Sequence, residues 1–106
     1  PIDRFKVRLM MLRAQKTPRI SPEDRLAILR KAYEAAIGNL RFHANDKYSY
    51  ALVCDVAFRM VERGESEYLL EESIQLYRDA SERLEDPDMA RQLRSFEGQR
   101  NRGRNH

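Results

Sequence analysis

Residues 47–63 read KYSYALVCDVAFRMVER, and this stretch decides the fold. Tyr50, Val53, Cys54, Ala57, Met60 and Val61 fall on one face at helical spacing, and Leu52, Val56 and Phe58 widen that face. Asp55, Arg59 and Glu62 occupy the narrow side that is left, with Asp55 and Arg59 at i, i+4. A helix this apolar around its circumference belongs in the centre of a domain, touched from several sides. Gly64 supplies its stop.

Start and stop signals repeat on either side. Ser21 is an N-cap with Pro22 at the first helical position and Glu23 and Asp24 at the positive end of the dipole. Leu26, Leu29, Tyr33, Ala36, Ile37 and Leu40 then form one stripe, and Gly38-Asn39 loosens or ends that helix. The stretch 41–46 is a connector whose Phe42 is expected to tuck into the core. Ser66 caps a helix over about 67–85 with the stripe Leu70, Ile74, Tyr77, Ala80 and Leu84. Asp86 and Pro87 restart the chain as N-cap and N1, and Met89, Leu93 and Phe96 recur at i, i+4, i+7 before Gly98.

Residues 2–16 admit two readings. Phe5, Leu9 and Leu12 recur as one face of a helix, whereas Phe5, Val7, Leu9 and Met11 alternate as a strand does. A lone strand leaves its backbone unpaired, so the strand reading demands a second chain. The helical remainder favours helix. The expectation is an all-α compact bundle of four to five helices around 47–63. One domain spans 1–98, made of a basic segment 1–20 and a helical core 21–98, and a basic flexible tail follows over 99–106. Helices of similar length on short connectors loosely resemble the antiparallel pairs of helical-repeat proteins. The tetratricopeptide pattern is absent, and no internal repeat is evident.

Composition bounds the function. The 106 residues are 42% hydrophobic and 35% charged, with one cysteine and two histidines. That is one modest core, no disulfide within the chain and no zinc-type ligand set, so no cofactor or metal is expected. No apolar run is long enough to cross a bilayer and no secretory leader is present, which places the chain in the cytoplasm by default. Cys54 with His43 is the one conceivable nucleophile and base, but Cys54 lies on the apolar face, where a thiol is a small hydrophobe. An enzyme is therefore not expected. Tyr33, Tyr50 and Tyr77 lie along apolar stripes, while Tyr48 and Tyr68 sit near helix starts and are expected to be exposed.

Charge is sorted along the chain. Residues 1–20 carry Arg4, Lys6, Arg8, Arg13, Lys16 and Arg19 against Asp3. Residues 65–88 are acidic, and the end turns basic through Arg91, Arg94, Arg100, Arg102 and Arg104. The small net charge of +3 hides these local imbalances. Guanidinium forks match phosphate oxygens. The favoured reading is a small binding or regulatory module that contacts nucleic acid or a ribonucleoprotein through Arg4, Arg8, Arg13, Arg91, Arg94, Arg100, Arg102 and Arg104. The alternative is a protein–protein adaptor or inhibitor that works through the acidic helix, with Glu71, Glu72, Asp79 and Glu82 meeting a basic surface. That face also suits the chain's own residues 1–20, in cis or from a second copy in a homodimer. A third reading pairs residues 4–12 as strands in a dimer, the element order of ribbon-helix-helix DNA-binding proteins, with Arg4, Lys6 and Arg8 towards DNA.

Overall fold

The computed structural model describes residues 4–17 and 19–104, and the chain is an all-α bundle. Its helices are α1 (Arg4–Lys16), α2 (Pro22–Asn39), α3 (Lys47–Glu62), α4 (Glu67–Leu84) and α5 (Pro87–Arg104). Among the described residues there is no strand, so residues 4–12 offer no ribbon to pair. Pro18, residues 1–3 and residues 105–106 lie outside the described residues, as does the side chain of Arg104.

The helix ends follow the capping chemistry in the sequence. The Ser21 hydroxyl accepts from the Asp24 N–H at 3.1 Å, and the Ser66 hydroxyl from the Tyr68 N–H at 3.2 Å. Asp46 caps α3 and Asp86 caps α5 in the same way, accepting from the N–H of Tyr48 at 3.1 Å and of Asp88 at 2.8 Å. Gly64 takes φ +102°, which a side chain would resist, and so turns the chain out of α3. Glu85 closes α4 in the left-handed region with φ 52°, a position where glycine is the usual occupant.

Two hydrophobic clusters meet on α3. The first joins Val7, Met11 and Ala14 of α1, Leu29, Ala32 and Ala36 of α2, and Leu52, Val53, Val56 and Met60 of α3. The second joins Tyr50, Cys54, Ala57 and Phe58 of α3 to Leu70, Ile74, Tyr77 and Ala80 of α4 and Met89 and Phe96 of α5. Phe96 stacks edge-on against Tyr77 at 5.2 Å and lies 5.8 Å from Phe58. Each helix packs on its neighbours in sequence, and α1 also reaches α3. The result is a slab of 44 × 38 × 19 Å, with α1 at one end and α5 at the other.

Three local expectations differ from the fold. On α1 the buried face is Val7, Met11 and Ala14, while Phe5, Leu9 and Leu12 are 69%, 48% and 45% exposed. Both sets recur at i, i+4, i+7. The set with smaller residues joins the alanines of α2, where two helix backbones come close. Phe42 is exposed at 65%, because the connector winds outward in successive turns, with the N–H groups of Leu40, Arg41 and Phe42 donating to the carbonyls of Ile37, Gly38 and Asn39. Finally, α5 runs through Gly98 to Arg104 where composition suggests a flexible tail. Ion pairs hold that extension to α4, from Arg78 to Glu97 at 2.7 Å and from Arg100 to Glu71 at 3.2 Å.

The two faces of α1 separate in a stability measurement. Met11→Ala is expected to cost about 2–3 kcal/mol in urea unfolding, within the range for a buried methionine, and Leu12→Ala less than about 0.5 kcal/mol. Equal losses would contradict this orientation of the helix.

Candidate interaction surfaces

The basic residues divide between the two ends of the slab. On α1, Arg4 reaches Asp46 at 3.6 Å and lies over the Tyr48 ring, 5.4 Å from its centroid. Arg8 is exposed and acts on Asp55 of α3, whose carboxyl burial pushes above its ordinary value while Arg8 and Arg59 pull it down. Arg13 and Lys16 are exposed and form no ion pair among the described residues. On α5, Arg91 pairs with Asp88 one turn away, and Arg100 is held by Glu71. Arg94 and Arg102 point to solvent without an ion pair among the described residues. Since α1 packs on α2 and α3 while α5 packs on α4, the two basic groups stand on helices that do not adjoin.

The acidic helix is divided as well. Adjacent residues on a helix diverge by about 100°. Glu71 accordingly turns to α5, whereas Glu72 turns to α2 and lies near Tyr33. Asp79 accepts from the Gln75 side-chain amide at 2.8 Å, and Glu82 is exposed. Residues 4–16 do not reach this face within their own chain, since α1 is committed to α2 and α3.

One open surface and one groove border these charges. The outward side of α1 exposes a strip made of Lys6, Leu9, Met10, Leu12, Arg13, Lys16 and Thr17. The groove, of about 470 Å³, lies between α2 and α4 and is lined by Tyr33, Ile37, Glu72, Gln75, Leu76 and Asp79. Tyr33 forms its floor and shares a 3.0 Å hydrogen bond with the Ser73 hydroxyl. Burial raises the Tyr33 phenol above its ordinary value and the nearby Glu72 adds to the shift, so this hydroxyl keeps its proton at neutral pH. Leu76 is 37% exposed on the groove's rim.

The remaining polar contacts are structural. Arg83 clamps the connector, donating to Asn45 Oδ1 at 2.8 Å, to the Ala44 carbonyl at 2.6 Å and to the Tyr50 hydroxyl at 3.1 Å. Arg30 pairs with Glu65 at 2.8 Å, and that hydrogen bond holds the Glu65 carboxyl below its usual range. Nothing in the sequence pattern marks these long-range partners. The Cys54 thiol is fully buried and donates to the Ser73 carbonyl at 3.3 Å, and burial pushes its pKa up. His43 is exposed in the connector, so no thiolate–imidazole couple forms. No group of three or more His, Cys, Asp or Glu among the described residues is arranged to hold a metal, and no described helix is long and apolar enough to cross a membrane. Tyr48 and Tyr68 are exposed at 57% and 70%, as their positions suggest.

No family model matches the chain, and neither does a curated protein or a solved structure.

Two measurements check these environments. Alkylation of Cys54 is expected to be slow in the native protein and fast in denaturant; rapid native labelling would place the thiol at the surface. Arg8→Ala is expected to raise the Asp55 carboxyl further in an NMR titration. A carboxyl raised by folding destabilises the fold above its folded pKa and has no effect below its unfolded value, so this variant loses stability at pH 7 and regains it on acidification. An unmoved Asp55 would mean that the Arg8 charge lies elsewhere.

Proposed function

We propose that this chain is a non-enzymatic protein-interaction module that docks through the outward face of α1. The observation that carries the reading is the exposed stripe of Phe5, Leu9 and Leu12, opposite the face that α1 already buries. Aligned apolar side chains in water favour a partner that covers them. Arg13 and Lys16 flank the stripe, so the partner surface is apolar with an acidic rim. A phosphate backbone has no use for such a stripe, and the partial commitment of Arg4 to Asp46 further weakens the case for α1 as a phosphate grip. The nucleic-acid or ribonucleoprotein reading keeps support on α5, where Arg94 and Arg102 stand on a helix without a large exposed hydrophobic residue. Arg91 and Arg100, by contrast, are spent on Asp88 and Glu71.

A photo-crosslinker in place of Phe5, used in cells, tests the proposal. The expected product is a protein adduct that survives nuclease treatment and disappears when Leu9 and Leu12 are both changed to Glu. Adducts to nucleic acid, or none, would refute it. In parallel, Arg94→Glu with Arg102→Glu is expected to weaken any binding to labelled single-stranded RNA by about tenfold at low salt while leaving the Phe5 adduct intact.

A further inference from the structure

The groove between α2 and α4 carries the chemistry that the α1 face lacks. On α4, Glu72, Asp79 and Glu82 are exposed, with Leu76 on the rim and Ile37 of α2 beside it. On α1, Lys6, Arg13 and Lys16 are exposed, with Leu9 and Met10 between them. Both charged sets have the same spacing, seven residues and then three. With the helices side by side and parallel, residues on the contact line oppose each other, so Arg13 meets Asp79, while Lys16 and Glu82 border the contact and Leu9 and Met10 bring apolar surface towards Leu76 and Ile37. Lys6 also holds a contact within its own chain, and the pairing needs only Arg13 to be available.

Resting on the reading of α1 as a docking face, we infer that its partner is the acidic α2–α4 groove of a second copy of this chain, so that chains associate head to tail. The groove cannot be filled by α1 of the same chain, which is held by α2 and α3 at the end of the slab. A parallel back-to-back pair of α1 helices would bring Arg13 and Lys16 of both copies together, and like charges directly opposed are unfavourable; an antiparallel pair avoids this but leaves the acids of the groove unmatched. An interface of two different patches leaves one patch of each kind free at the ends, so association continues into chains unless a rotation closes a ring.

Sedimentation velocity on the purified protein tests this. The wild type is expected to grow with concentration beyond a dimer at about 50 mM salt and to revert towards monomer at about 500 mM, where exposed charges are screened over a few Å. Leu9→Ser with Arg13→Ser removes the α1 face, and Leu76→Ser with Asp79→Ser removes the groove's, so that the two altered faces carry no charges that could pair with each other. Each pair of substitutions sits on exposed positions, and circular dichroism melts verify that both variants stay folded. Alone, each variant is expected to be monomeric. Mixed, they form a 1:1 dimer that grows no further, because each contributes its one intact face. A charge exchange adds register: Arg13→Glu alone or Asp79→Arg alone weakens association at least tenfold, and combining the two in one chain restores it. A wild type that stays monomeric at low salt overturns the inference, as does a mixture that stays monomeric or a groove-blocked variant that still dimerises through α1. A monomeric wild type together with a Phe5 adduct to a different protein sinks the second copy as partner and spares the docking face. A monomer without such an adduct sinks both.

Discussion

Everything in this fold depends on the burial of α3 from two sides. Leu52 and Val56 enter one cluster and Cys54 and Ala57 the other, all four without solvent exposure. One helix cannot bury two faces with one neighbour. It therefore needs α1 and α2 on one side and α4 and α5 on the other, and the short connectors deliver them in chain order. The polar tie between the halves is equally compact. Ser73 of α4 donates to Leu69, shares a hydrogen bond with Tyr33 of α2, and its carbonyl accepts from Cys54 of α3. A serial arrangement of this kind leaves the first and last helices with one face each that no neighbour covers. Those two faces differ: α5 turns Gln92, Arg94 and Ser95 outward, whereas α1 turns Phe5, Leu9 and Leu12 outward.

Charge pairing reinforces the same asymmetry. The acidic block of α4 and the basic end of the chain are adjacent in sequence order and fold onto each other. Glu71 and Glu97 are therefore matched by Arg100 and Arg78, and the α4–α5 side is partly self-compensated. Among the described residues of the basic N-terminal block, Arg4 pairs with Asp46, Arg8 acts on the half-buried Asp55, and Lys6 holds a contact of its own. Arg13 and Lys16 project from the apolar end of the slab, while Glu72, Asp79 and Glu82 project from the middle. Opposite fields on separate patches of one surface favour contact between molecules over collapse within one.

Local signals in the sequence translated directly into structure. The caps at Ser21, Ser66 and Asp86, the stop at Gly64 and the stripe of α4 all act within a few residues, and short-range chemistry is what spacing encodes. The face that α1 buries was ambiguous because its sequence contains two apolar stripes. Choosing between them requires knowing that α2 presents alanines. Helix formation beyond Gly98 was likewise illegible, since composition there argues for a solvated tail and the stabilising contacts, Arg78 with Glu97 and Arg100 with Glu71, span 19 and 29 residues. The Arg83 clamp on Ala44 and Asn45 spans nearly forty and leaves no periodic trace. The sorting of charge was visible from the start, but which arginines are neutralised depends on which helices become neighbours.

Magnitudes limit what the α1 face achieves by itself. Full burial of a large apolar side chain contributes roughly 1.5–3 kcal/mol, and Phe5, Leu9 and Leu12 have about half of that still to gain, so the stripe supplies on the order of 3–4 kcal/mol. Association costs at least about 4 kcal/mol in lost translation and rotation, and exposed ion pairs return less than about 1 kcal/mol each. The stripe alone is therefore insufficient, and so is charge alone. A partner that completes the balance has to bring apolar surface of its own, framed by acids near Arg13 and Lys16. It has to be long enough to cover three helical turns. These requirements describe a helical groove more closely than they describe the uniformly polar backbone of a nucleic acid, and they imply a weak contact that forms and dissolves with salt.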